Sequence, residues 1–210
     1  LKGVLVQTLD HASALVEKTG AVNTLRWSPA GLEGENFDVA GFLDPLAGQS
    51  VILGGARAVI LGAGGAARSV AKALADAGAS VEVASRRPEA AAVLARSAGA
   101  AVGTWPPRPD WDLLVNCTPV GTAPNDRESP LPRSCLRGRC VYDLVYNPPE
   151  TTLLRWAREA GITTIGGLGM LAGQARRQIH WWTGQEVPAA ILDAAARRFL
   201  ASEDAQRQQR

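Results

Sequence analysis

Histidine and sulfur are scarce in this chain. The two histidines, His11 and His180, lie far from each other and from Cys135 and Cys140, so no zinc spacing exists and no metal is expected. Three scattered cysteines, Cys117, Cys135 and Cys140, are an odd number. That argues against a disulfide framework and for a reducing, cytoplasmic setting. A surplus of one charge is also missing: 22 Lys+Arg against 20 Asp+Glu leave a formal net charge of +2, which excludes the basic footprint of a nucleic-acid-binding protein. No apolar run approaches the roughly 18 residues of a membrane helix, and no charged-then-apolar leader opens the chain. Methionine occurs once, at Met170, and the text begins at Leu1-Lys2-Gly3, so further residues are expected upstream.

What is present is core. With 46% hydrophobic residues in 210, the chain can bury one large domain or two small ones. Short runs rich in Val, Ile and Leu over 58–61, 80–84, 113–116, 141–145 and 162–165 alternate with alanine-rich stretches of helical spacing. Such runs suit a parallel sheet covered on both faces, an α/β pattern. The first crossover helix is expected over 67–77, with Val70 and Leu74 on one face and Gly78 as its stop. Pro106, Pro107 and Pro109 mark 103–109 as a surface connection. Ahead of residue 50 the text predicts a helix over 10–18, a strand over 21–27, a turn over 28–31 and a second helix from Asp38. After Met170 it predicts a helix through Trp182, a break at Gly184 and Pro188, a last helix over 189–200 and a frayed polar tail.

The stretch Val59-Ile60-Leu61-Gly62-Ala63-Gly64-Gly65-Ala66-Ala67-Arg68 runs from a strand through glycines into a helix. In a dinucleotide site the first glycine allows the tight turn, the second lets backbone approach the pyrophosphate, and a third small residue lets helix and strand pack closely. Gly62, Gly64 and Ala67 stand in those places; with Ala63, Gly65 and Ala66 they expose N–H groups to an anion at the helix start. A plain tight turn would also fit this text, but a strand before it and a helix after it favour binding.

The end of the next strand distinguishes the nucleotides. A carboxylate there would bond a free ribose and repel a phosphorylated one. This chain has Ser85, Arg86 and Arg87, with Glu82 inside the strand, so NADP is expected as the cofactor rather than NAD. Solvated loop charges are the other reading of the two arginines. Hydride transfer to a carbonyl also needs a proton carrier. His180 has no acid near it in sequence, and Asp10 and His11 are adjacent, which on a helix turns them apart. Cys117 has no evident base and reads as strand-end packing.

Six blocks in one order carry a resemblance: Gly20-Ala21-Val22-Asn23-Thr24, then Gly34-Glu35-Asn36-Phe37-Asp38, the glycine stretch, Asn116-Cys117-Thr118-Pro119-Val120-Gly121, Asp143-Leu144-Val145-Tyr146-Asn147-Pro148, and Gly167-Leu168-Gly169-Met170-Leu171 with Gln174. Along essentially its whole length the chain resembles the shikimate dehydrogenases. The resemblance implies a Rossmann-type doubly wound parallel sheet with a partial α/β substrate domain, divided as 1–37 (substrate), 38–170 (NADP) and 171–210 (helices returning to the substrate domain). It also implies about 60 further family residues ahead of Leu1.

It implies roles as well. Lys2, matching the family's lysine, and Asp38 would form the catalytic pair at the substrate hydroxyl; a carboxylate can orient an ammonium whose pKa responds to its surroundings. Asn23 and Gln174 would bond substrate with their two-sided amides. Asn116 and Thr118 would lie along the cofactor, and Tyr146, Gly167 and Met170 would line the nicotinamide and substrate cleft, although packing at a seam is an equal reading for Tyr146 and Met170. The implied reaction is reversible reduction of 3-dehydroshikimate to shikimate, with quinate dehydrogenation or non-catalytic dinucleotide binding as alternatives. Expected partners are that small-molecule substrate, no nucleic acid and no membrane, with a homodimer left open. One departure stands out: Phe37 occupies the place of a family threonine, replacing a hydroxyl with a ring. The family's serine pair for the substrate carboxylate and its Asn-Val-Thr run would fall ahead of Leu1.

Overall fold

The computed structural model describes residues 3–49 and 51–208, so Lys2 lies outside the described residues. After a 3-10 turn over Leu5–Thr8, β1 (His11–Ala12), α1 (Ala14–Thr19), β2 (Thr24–Ser28) and β3 (Gly31–Glu35) build a three-stranded sheet in the order β1-β3-β2. Here local structure departs from the sequence reading. The helix expected over 10–18 is confined to α1, because Ser13 Oγ accepts from the Val16 N–H at 3.2 Å and caps it there. Residues 10–12 are held extended instead: Asp10 Oδ2 accepts from the Leu32 N–H at 2.7 Å, and β1 lies parallel to β3. The strand expected over 21–27 begins at Thr24; Ala21 and Val22 are buried as core without joining the ladder. β3 was hidden by its glycines and glutamates. At Gly34 the end of the Leu9 side chain lies where a Cβ would stand, so a larger residue there would have to displace it.

The next elements are α2 (Asp38–Ala47), β4 (Arg57–Leu61), α3 (Gly65–Asp76), β5 (Ser80–Ala84), α4 (Pro88–Ala98), β6 (Ala101–Val102), β7 (Leu113–Asn116), β8 (Cys140–Asp143), α5 (Thr152–Glu159) and β9 (Thr163–Gly166). Their six strands are all parallel, in the order β6-β5-β4-β7-β8-β9. Apolar runs were needed because both faces are covered: Ala58, Ile60, Leu113 and Val115 face one core cluster, while Val59, Leu61, Leu114 and Val141 face the other. The chain moves outward from β4 to β6, then returns to place β7 on the opposite side of β4. That reversal opens a crevice beyond the carboxyl ends of β4 and β7, where ligands of such sheets bind. β8 stops at Asp143, short of the expected 145, because the Asp143 carboxylate captures the Val145 N–H at 3.0 Å and turns the chain.

Two helices, α6 (Leu168–Thr183) and α7 (Ala189–Gln208), complete the fold. α6 crosses α2 so closely that a Cβ on Gly41 would lie 2.9 Å from the Met170 carbonyl oxygen and 3.0 Å from the Gln174 nitrogen. Arg177 clamps the crossing with a two-pronged bond to Asp44 at 2.6 and 3.0 Å. The same helix reaches the small sheet: Gln178 Nε2 donates to Thr24 Oγ1 at 2.9 Å and Trp182 Nε1 to the Leu25 carbonyl at 3.0 Å. α7 continues past Leu200 to Gln208, since the alanines, arginines and glutamines of the polar tail are good helix formers.

Candidate active site

At the crevice, Gly62 has a φ of 99°, a left-handed conformation that a side chain would strain, and a Cβ there would meet Thr118 Cγ2 at 3.0 Å. A Cβ on Gly64, which precedes the first turn of α3, would meet nothing within 4 Å. The first glycine is thus required by the protein itself, while the second leaves room for something outside it. Ala67 is fully buried where α3 packs on the sheet, as the third small position requires. An open cleft of about 640 Å³ lies against Ala63, Gly64, Gly65, Ala66 and Arg68, with Gly3, Val4 and Gly20 opposite. A backbone cradle at a helix start, with a basic side chain beside it, fits a pyrophosphate.

At the tip of β5, Ser85 Oγ accepts from the Arg87 N–H at 3.1 Å, and Arg86 and Arg87 are exposed. Glu82 is turned away from this tip: its carboxylate sits 3.2 Å from the Arg57 guanidinium within the sheet. Arg86 also lines a cavity of about 250 Å³ with Trp105, Thr118 and Val120. Glu128 lines the same cavity, but the tip of β5 itself carries two exposed cations and no carboxylate, which suits the 2′-phosphate of NADP.

Beside α3, three side chains named from sequence meet. Asp38, 1% exposed in the first turn of α2, accepts from Asn23 Nδ2 at 2.8 Å. The same Asn23 nitrogen donates to Gln174 Oε1 of α6 at 3.2 Å, a contact spanning 151 residues. Asn23 Oδ1 accepts from Thr24 Oγ1 at 2.8 Å and from the Phe37 N–H at 3.0 Å, which fixes the amide. Behind them Asn36 accepts from the Asp38 N–H at 3.0 Å and donates to Ser69 Oγ of α3 at 3.0 Å, tying this cluster to α3.

The floor is a buried polar relay. Asn116 Nδ2 donates to Asp143 Oδ1 at 2.9 Å, while Asn116 Oδ1 accepts from the Thr118 N–H at 3.0 Å and its hydroxyl at 2.7 Å. Burial raises the Asp143 pKa to about 6, against the lowering effect of bonds from Thr151, the Val145 N–H and Asn116. Cys117 is pushed far upward by burial, with the Asp143 and Asp38 charges adding to it, so it stays a neutral thiol and no nucleophile.

Residues 167–197 match the family described as Shikimate 5'-dehydrogenase C-terminal domain. The chain is 41% identical to the shikimate dehydrogenase (NADP(+)) of Moorella thermoacetica, covering 96% of this chain and 73% of that protein. It is 45% identical to the enzyme of the same name from Halobacterium salinarum, over 89% of this chain and 72% of that one. A crystal structure of shikimate 5-dehydrogenase from Thermus thermophilus, in complex with NADP(H) and shikimate, superposes with a TM-score of 0.87 at 38% identity, covering 94% of this chain and 76% of that chain. The chain belongs to the shikimate dehydrogenase family.

Within this shikimate dehydrogenase fold the remaining named residues fall in different settings. Gly167 precedes α6 and is pressed against the Leu144 and Val145 carbonyls, leaving no space for a Cβ. Met170, 7% exposed, belongs to the core cluster with Phe42 and Tyr142, and Tyr146 is 44% exposed. The Phe37 ring packs edge-on against Trp181 at 6.2 Å. Neither histidine joins the site: His11 Nε2 lies 3.0 Å from the Ala30 carbonyl. His180 does have an acidic neighbour, contrary to the sequence reading, because Glu186 folds back from beyond Gly184 to 3.2 Å. Among the described residues no cluster of potential ligands could hold a metal. Arg68 was missed by sequence reading, although a base directly after the third small residue was a usable signal. Asn36 stands in a motif whose text assigns it no role, and only its contacts reveal one.

Proposed function

We propose that this chain carries out NADP-dependent interconversion of 3-dehydroshikimate and shikimate. The observation that supports this best is the Asp38, Asn23 and Gln174 cluster, joined through Asn36 and Ser69 to the helix that starts at the glycine cradle. The backbone of Gly62 to Ala67, with Arg68, would hold the pyrophosphate, and Ser85, Arg86 and Arg87 the extra phosphate. Bound NADPH supplies the hydride. The protein supplies the proton at the carbonyl oxygen, and in this reading Lys2 delivers it while Asp38 orients the ammonium. Asn23 and Gln174 would bond substrate hydroxyls, with Tyr146, Gly167 and Met170 along the cleft and Asn116 and Thr118 beside the nucleotide. The division into 1–37, 38–170 and 171–210 and a homodimer belong to the same proposal. So does a cytoplasmic setting, supported by three free cysteines.

NADPH oxidation should require 3-dehydroshikimate, and Lys2→Ala should lower turnover without weakening NADPH binding. Binding without turnover on any related substrate would favour a non-catalytic module instead. The Phe37 ring stands where the family has a hydroxyl, so quinate is the second substrate to assay; a higher kcat/KM on quinate would reassign the substrate while keeping the chemistry.

A further inference from the structure

Asp143 is fully buried at the carboxyl end of β8. A carboxylate there forfeits water, and three donors replace it: Asn116 Nδ2 at 2.9 Å, the Val145 N–H at 3.0 Å and Thr151 Oγ1 at 2.6 Å. Because an ionised carboxylate can only accept, the Asn116 amide must turn its nitrogen toward it. Asn116 Oδ1 is thereby left to face Thr118 and take both its N–H and its hydroxyl. The Thr118 N–H, which can only donate, and the Val120 carbonyl, 3.4 Å from Nδ2, agree with that orientation, so the carboxylate fixes where the amide sits. Thr118 Cγ2 is the atom pressed against Gly62. On the far side Thr151 also accepts from the Leu154 N–H at 3.2 Å, fixing the start of α5. Leu144 and Val145, directly after the carboxylate, close over Gly167. One buried group therefore joins the loops that follow β4, β7, β8 and β9.

We propose that Asp143 is a positioning residue of the nucleotide cleft: its carboxylate, held by Thr151, sets the Asn116 amide and through it the aim of Thr118. This rests on the reading that the cleft binds NADP. Asp143 touches no reacting atom and acts only through its neighbours.

The test is a double-mutant cycle on the full chain with NADPH as ligand, comparing the native protein, Asp143→Asn, Thr118→Val and the double variant. Asp143→Asn should raise the Kd and KM for NADPH about tenfold and leave kcat at saturation within about twofold. The double variant should bind no worse than the weaker single variant, because both remove the same contact. Additive losses, or an unchanged Kd in Asp143→Asn, would overturn the proposal. Should Asp143→Asn fail to fold, Thr151→Val frees the same carboxylate oxygen and carries the same expectation of coupling to Thr118→Val. A native chain that ignores NADPH would overturn the underlying reading as well, and is told apart because no variant is needed to see it.

Discussion

The proposed nucleotide and substrate walls are made of different material. The nucleotide wall is backbone: a left-handed Gly62, an open Gly64 and the first turn of α3, all within one short stretch of chain. The substrate wall is side chain: Asp38, Asn23 and Gln174 come from three places and are aligned by hydrogen bonds, one of them spanning 151 residues. A backbone site tolerates most side-chain changes and is damaged only where a Cβ cannot fit. A side-chain site is lost when a single polar atom is exchanged.

On that contrast, Asp38→Asn should be the most damaging change and a selective one. It keeps the shape but removes the charge that, in the proposed mechanism, steadies the Lys2 ammonium, so kcat should fall roughly 10²–10⁴-fold with NADPH affinity unchanged. Stopped-flow turnover alongside fluorescence titration measures both. Equal loss of nucleotide binding would mean that the two walls are one unit, with Asn36 and Ser69 carrying the coupling.

The relay under the nucleotide wall should respond to pH. Asp143 has a folded pKa of about 6, above the ordinary 3.8. Its protonated form favours the fold, so this contribution is fully present below the ordinary value and is lost as pH rises through about 6. The stability of Asp143→Asn relative to the native chain should therefore improve between pH 4 and pH 7, by at most about 3 kcal/mol. Urea melts at the two pH values give the difference, and a constant gap would show that this carboxylate does not titrate in that window.

Gly62→Ala should cost about 1–2 kcal/mol of stability and weaken NADPH, since the left-handed turn and Thr118 both resist a methyl group. Gly64→Ala, with open space around it, should leave stability nearly unchanged while still weakening the nucleotide; thermal melts and titrations separate the two. The smallest effect belongs to the exposed tip. Arg86→Ala should reduce the preference for NADPH over NADH about tenfold without altering NADH binding. An unchanged ratio would return Arg86 to the status of a solvated charge.

Legibility in the sequence followed the same division. The strands of the large sheet were readable because burial on both faces demands continuous apolar runs, and the glycine turn because its residues are adjacent. β3 was not, since its glycine at 34 answers a close approach by Leu9 that no local pattern announces. The helix expected over 10–18 failed for a related reason: Asp10 bonds to Leu32, far along the chain, and that bond outweighs helical spacing. Asn23, Asp38 and Gln174 were named only through a family likeness. Nothing in their spacing placed them together.

By itself the sequence determined what depends on neighbours along the chain: the α/β class, the parallel sheet, the phosphate turn and the uncharged tip at Ser85 that favours NADP. Tertiary structure alone decided which amides meet Asp38, how Asp143 ties four loops together, and that Glu186 returns to His180. Apolar periodicity and backbone conformation are local properties that a chain carries in its text. A hydrogen bond between distant side chains exists only after folding has removed the water that would otherwise satisfy both partners.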